Sequence, residues 1–151
     1  MALSIRAARF EDIDTIVRFN AALARETEHL DLDHATLCKG VAQLLGDPEK
    51  GRYFVAVDGI EVVGQIMVTY EWSDWRCGWL WWIQSVYVAP AARRQGVFSA
   101  LFQHVLETAK AQGDVVGIRL YVEKNNVSAQ QTYERQGMTM APYLVYERLP
   151  L

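Results

Sequence analysis

Between residues 86 and 101 the chain reads VYVAPAARRQGVFSAL, and no other segment restricts its fold as tightly. A β-rich run stops at Pro90, a basic turn follows, and Gly96 opens a helix whose apolar stripe is Val97, Phe98, Leu101, Phe102, Val105, Leu106 and Ala109. Strand, turn and helix in this order put the first N–H groups of the helix, at the positive end of its dipole, beside a residue with no side chain. Such a helix start is suited to an anion, and Arg93 and Arg94 add positive charge next to it. The competing reading of the same residues is a helix start with a flexible glycine and two solvated arginines.

The rest of the chain supplies elements for one α/β domain over residues 1–151, since 51% apolar and 22% charged residues suffice for a single core. A short strand is expected over 4–8 and an amphipathic helix from Ile13 through about Glu28. A second helix over 33–45 follows, with Asp33 as its N-cap and the sequence Gly46, Asp47, Pro48 as its stop. Residues 53–57 and 60–70 read as a hairpin through Asp58 and Gly59. Residues 71–78 read as a loop, 79–88 as a long strand, 118–122 as a buried strand, 126–136 as a helix ended by Gly137, and 143–147 as a last strand. There is no repeat and no composition break.

Several function classes are disfavoured by composition. Lys and Arg total 15 against 18 Asp and Glu, a net charge of −3 without long like-charge runs, which argues against nucleic acid and polybasic membrane binding. The longest apolar stretch, 79–83, falls far short of the ~20 residues of a membrane span, and a cytoplasmic protein without a processed leader is expected. Cys38 and Cys77 have no C-x-x-C spacing, and His29, His34 and His104 share no ligand spacing, so free thiols and no metal are expected.

A second pattern lies downstream. Asn126, Ala129 and Tyr133 stand at i, i+3 and i+7, giving one helix face an amide, a gap and a phenol. Together the two segments resemble the GNAT superfamily of acyl-CoA N-acetyltransferases. The family's Q/R-x-x-G-x-G/A motif falls on Arg93, Gly96 and Phe98, with Phe98 departing from the small residue, and its N-x-x-A-x-x-x-Y-x-x-x-G-F pattern runs from Asn126 to Met138 with Met138 in place of Phe. A side chain as large as that of Phe98 must point away from a bound phosphate, while its main-chain N–H is retained. The resemblance implies a mixed, mostly antiparallel central sheet of about six to seven strands flanked by about four helices. It also implies acetyl-CoA as cofactor and coenzyme A as product. The pyrophosphate would lie on the turn formed by Arg93, Arg94, Gln95, Gly96, Val97, Phe98 and Ser99. The main chain near Val86 and Val88 would bind the thioester oxygen, Asn126 and Ala129 would border the pantetheine arm, and Tyr133 would protonate the leaving thiolate. A small-molecule amine acceptor and a homodimer, paired through 143–146, are further expectations from the resemblance.

The proton acceptor for the attacking amine is less evident. The central-strand position where some family members carry glutamate is Trp82 here, and Gln84 on the same face is neutral. Glu71 is the first candidate, acting through water, with Asp74 and Glu28 as alternatives. All five tryptophans, Trp72, Trp75, Trp79, Trp81 and Trp82, fall within eleven residues. Alternation places Trp79, Trp81 and Ile83 on one sheet face and Trp82, Gln84 and Val86 on the other. Trp72 and Trp75 with Asp74, Gln84 and Glu28, plus the acids of segment 26–33, suggest an acidic, aromatic pocket for a primary amine such as a polyamine, an aromatic amine or an amino-acid-like compound. Ser85 is expected to bond backbone. Direct attack in a ternary complex is the expected route. Acetylation of a protein lysine or N-terminus, and a non-catalytic acyl-CoA-binding regulatory module, are the alternatives.

Overall fold

The computed structural model describes residues 1–151, which form two units, Met1–Tyr121 and Val122–Leu151. Within the first unit, β1 (Leu3–Ala7), β2 (Arg52–Asp58), β3 (Glu61–Ser73), β4 (Gly78–Val88) and β5 (Val115–Leu120) make one sheet in that order. Neighbours are antiparallel except β4 and β5, which are parallel and need the crossover helix α3 (Val97–Gln112) to connect them. The helices α1 (Ile13–Glu28) and α2 (His34–Leu45) precede β2, and α4 (Val127–Arg135) belongs to the second unit.

Local chemistry explains where these elements start. Asp33 caps α2 by accepting the Thr36 N–H at 2.9 Å. At the start of α1, the buried Asp12 carboxylate accepts both Arg6 guanidinium nitrogens, at 2.7 and 3.0 Å, and the Arg9 N–H at 2.7 Å, which ties β1 to the helix. The expected hairpin joins β2 to β3, but its two turn residues are Gly59, at φ +63, and Ile60, since Asp58 pairs with Glu61.

Each sheet face is covered by its own helices. Ile16 and Val17 of α1 and Val41 of α2 pack with Tyr53 and Met67 on one face. Leu101, Phe102 and Val105 of α3 are buried on the other, where the Phe54 ring meets His104 edge-on at 4.8 Å. The approach of α3 is close enough that a Cβ on Gly64 would stand 2.9 Å from Val97 Cγ1.

Two expectations need correction. The sheet has five strands rather than six to seven, because residues 143–147 form no strand and expose Tyr143, Leu144, Val145 and Tyr146. Alternating apolar residues become a strand only where another strand's main chain is there to pair with them. Residues 71–73 are strand, not loop, because Glu71 pairs with Leu80 and Trp72 with Trp79, which shortens the connection to 74–77.

Candidate functional site

The central feature is a bulge in β4. Gln65 of β3 pairs with Tyr87 and Met67 with Gln84, so Ile66 alone opposes both Ser85 and Val86. Ser85 adopts φ +51, the left-handed conformation uncommon for a residue with a side chain. One extra residue reverses the side-chain alternation beyond it. Up to Gln84 the expected faces hold: Trp79, Trp81 and Ile83 oppose Trp72, Tyr70 and Val68, while Trp82 and Gln84 oppose Thr69 and Met67. Past the bulge it is Tyr87, not Val86, that joins Gln84 on the α1 face, where its ring meets Phe19 at 5.1 Å.

A buried polar network holds this bulge. The Gln65 side-chain amide donates to the Ser85 carbonyl at 3.0 Å and to Asn20 Oδ1 at 2.9 Å, and Asn20 Nδ2 donates to the Tyr53 hydroxyl at 2.9 Å. Ser85 also hydrogen-bonds that hydroxyl, and burial pushes the Tyr53 phenol up. Gln65 is fully buried, and its Oε1 has no partner. Asn20, Tyr53 and Gln65 escaped the sequence reading. The available signal was a single amide inside each of two apolar runs, the α1 stripe and the β3 strand, since polar groups enter such runs only with partners.

The same strand opens on its other edge. The ladder between β4 and β5 ends at Ile83 and Leu120, yet β4 continues to Val88, leaving the 84–88 main chain without a β5 rung. After Val88 the chain turns through 90–92, Arg94 takes φ +61, and Gly96 at φ +80 is the N-cap of α3 without any side-chain cap. The first turn of a helix leaves N–H groups without intrahelical acceptors, and here the Ala100 N–H bonds back to the Gly96 carbonyl at 3.0 Å. Nothing lies within 4 Å of a Cβ built on Gly96. That open, amide-lined and basic turn has the chemistry of an anion site. Phe98 is half-buried, its ring 5.8 Å from that of Phe102 and turned into the helix packing. Gln95 donates to the Ala91 carbonyl at 3.0 Å, a bond that closes the turn.

The two arginines differ. Arg93 Nε donates to the Val88 carbonyl at 2.9 Å, Nη2 pairs with Glu26 Oε2 at 3.0 Å, and the guanidinium lies 5.4 Å from the Tyr87 ring centre. Tyr87 in turn donates to Glu26 Oε1 at 3.2 Å, and burial together with that carboxylate pushes its phenol up. Arg93 thus fastens the end of β4 to α1, whereas exposed Arg94 has no ion-pair partner.

Other sequence-predicted residues separate. Glu71 accepts the Trp82 indole N–H at 2.8 Å and pairs with Arg119 at 3.5 Å, so both of its oxygens are engaged. Gln84 donates to Thr69 Oγ1 at 2.7 Å on the same face. Trp72 is on the opposite face, edge-on to Trp79 at 5.1 Å, and cannot share a wall with Gln84. Asp74 accepts the Trp75 N–H at 2.9 Å in the exposed tip of the hairpin, where Trp75 is 90% exposed.

A cavity of about 320 Å³ occupies the α1 and α2 side of the sheet. Its walls are mainly Leu23, Leu37, Val41, Leu44 and Met67; Asn20, Tyr53 and Ser85 supply the polar lining, and Glu28 is the one charged residue. The cavity therefore reaches the bulge just past the last rung between β4 and β5.

In the second unit, Asn126 caps α4 by accepting the Ala129 N–H at 3.1 Å. Tyr133 is on the same helix two turns on, and burial pushes its phenol up, keeping it protonated at neutral pH. No group of three His, Cys, Asp or Glu side chains could hold a metal, and no helix is long and apolar enough to cross a membrane.

Comparisons with known proteins agree with this geometry. The Acetyltransferase (GNAT) family model matches residues 13–138. Among solved structures, that of a possible acetyltransferase from Clostridium difficile 630 is 48% identical, with TM-score 0.93 over 100% of this chain and 99% of that one. A transcriptional regulator from Bacillus halodurans C-125 is 25% identical, with TM-score 0.81 over 97% and 99%. A "predicted acetyltransferase with acetyl-CoA" from Clostridium acetobutylicum shares the fold at 15% identity, with TM-score 0.79 over 97% and 96%. No curated protein matches the chain. With its two motifs at the starts of α3 and α4, the first of them following the bulged strand β4, and the family match spanning most of its length, the chain belongs to the GNAT family of acetyltransferases.

Proposed function

We propose that the protein acetylates the primary amine of a small molecule, using acetyl-CoA and direct attack in a ternary complex. The observation that carries this reading is the bulge at Ser85: one side of β4 offers unpaired main chain, and the other meets a cavity for an acceptor. Acetyl-CoA, when bound, supplies a thioester with an electrophilic carbonyl.

The residues act as follows. The amides of Arg94 to Ser99, with the free Arg94 guanidinium, hold the pyrophosphate, and Gly96 admits it to the main chain. Main-chain donors at Val86 or Val88 stabilise the developing oxyanion, in the preorganised manner that water cannot match. The second-unit motif gives Asn126 and Ala129 the pantetheine arm and Tyr133 the proton for the thiolate, a modest acid task because a thiol has pKa near ~8.5. With Glu71 held by Trp82 and Arg119, water near Glu28 is the better route for the amine proton. The exposed apolar side chains of Tyr143, Leu144, Val145 and Tyr146 support a homodimer.

Calorimetric titration with acetyl-CoA, followed by thiol release against monoamines, diamines, amino acids and lysine peptides, tests the proposal. Binding with amine-dependent release is expected. Binding without release from any amine points to the regulatory module, and absence of binding overturns the proposal.

A further inference from the structure

Resting on the proposed transferase activity, we infer that the acceptor is a compact monoamine, a primary amine on a branched aliphatic or single-ring apolar body that fills the cavity under α1 and α2. The acidic, aromatic pocket suggested by the tryptophan-rich segment does not assemble, because Trp72 is on the other sheet face and Trp75 is at an exposed hairpin tip. The cavity that does assemble is walled by Leu23, Leu37, Val41, Leu44 and Met67.

Three features set the acceptor class. First, about 320 Å³ is at the small end for ligand sites and suits a small molecule rather than a peptide with its flanking residues. Second, Glu28 is the one charged residue of the lining and is assigned to the reacting nitrogen, so the second ammonium of a polyamine would lie against aliphatic walls with no carboxylate to pair it. Third, the polar lining contributed by Asn20, Tyr53 and Ser85 is neutral and stands at the β4 bulge, where the thioester is proposed to bind. An amine nitrogen at that end meets neutral hydroxyl and amide groups, and its proton leaves through water toward Glu28. In the transfer, the amine nitrogen bonds to the acetyl carbon and the carbon–sulfur bond breaks. One nitrogen proton passes through water to Glu28, and the leaving sulfur takes the proton that Tyr133 is proposed to supply.

Gly40 offers a test that spares the fold. It lines the cavity from α2, and a Cβ built on it has nothing within 4 Å, so Gly40→Leu fills part of the cavity while replacing a helix-interior glycine with a better helix former. The protein loaded with coenzyme A is titrated calorimetrically with 3-methylbutylamine, 2-phenylethylamine, putrescine and spermidine, and the same amines are compared by kcat/KM. The expected result is at least tenfold preference for the two apolar monoamines in both readouts. Gly40→Leu should weaken 2-phenylethylamine at least tenfold, with acetyl-CoA affinity unchanged. Preference for putrescine, spermidine or a lysine peptide, or an unaltered selectivity in Gly40→Leu, overturns the assignment while leaving the transferase intact. Acetyl-CoA binding without measurable binding of any apolar monoamine also overturns it. Failure to bind acetyl-CoA at all is the separate failure of the proposed function.

Discussion

The Ser85 carbonyl accepts the side-chain amide of Gln65 at 3.0 Å, and the same amide donates to Asn20 at 2.9 Å, so one buried residue of β3 holds both the β4 bulge and α1. Gln65→Leu keeps the volume but leaves the Ser85 carbonyl and Asn20 Oδ1 without that donor. A loss of about 2 kcal/mol is expected from two bonds of this kind, read as a lower urea midpoint. If the bulge sets the oxyanion donors, kcat should fall roughly tenfold while acetyl-CoA affinity moves less than about twofold. An equal loss in both would make Gln65 a purely structural residue.

Arg93 and Arg94 are adjacent but point to different partners, and their substitutions should differ. Arg94→Ala is expected to weaken acetyl-CoA binding by about three- to tenfold, since its guanidinium is free for the phosphates. Arg93→Ala should weaken it less, because its guanidinium already serves Val88 and Glu26. Calorimetric titrations at two salt concentrations decide this, because the Arg94 contribution must shrink as salt rises. Equal losses would bring Arg93 to the cofactor.

Tyr133 is held protonated by burial above its ordinary value near ~10. A pH–rate profile of the wild type should therefore show no descending limb from this group below about pH 10. Tyr133→Phe should lower kcat by roughly tenfold or more with acetyl-CoA affinity nearly unchanged. A collapse of affinity instead would mark the phenol as a structural anchor.

The Arg6–Asp12 pair makes an acid-stability prediction. The Arg6 hydrogen bond, joined by the Arg9 N–H, holds the Asp12 carboxyl below the ordinary carboxylate value, against the opposing effect of burial. The stability this contributes is complete above the unfolded value near ~3.9 and is lost as pH falls toward the lower folded value. Asp12→Asn should cost about 2 kcal/mol at pH 7, and its difference from wild type should shrink below about pH 4. Urea midpoints measured from pH 7 to pH 3 check this, and a constant difference would contradict it.

Much of the fold was legible because its signals are local. Capping at Asp33, the turn at Gly59 and the helical stripe from Val97 to Ala109 each depend on residues a few positions apart, and the structure has all three. Of Asn126, Ala129 and Tyr133, the last two lie on α4 and Asn126 is its N-cap. The strand expected over 143–147 had equally good alternation and failed, because pairing requires a partner edge that alternation does not specify.

The element order and the basic, glycine-opened helix start follow from chain-local sterics and periodicity. Only the tertiary structure decided which residues meet: Gln65 with Asn20 at a separation of 45 residues, and Arg93 with Glu26 at 67. It also decided that Tyr87 rather than Val86 faces α1, because a single bulged residue reverses every later side chain. The physical reason is register. Periodicity gives each strand two faces, but which neighbour lies opposite, and therefore which face becomes a cavity floor, is set by pairing between strands far apart in the chain.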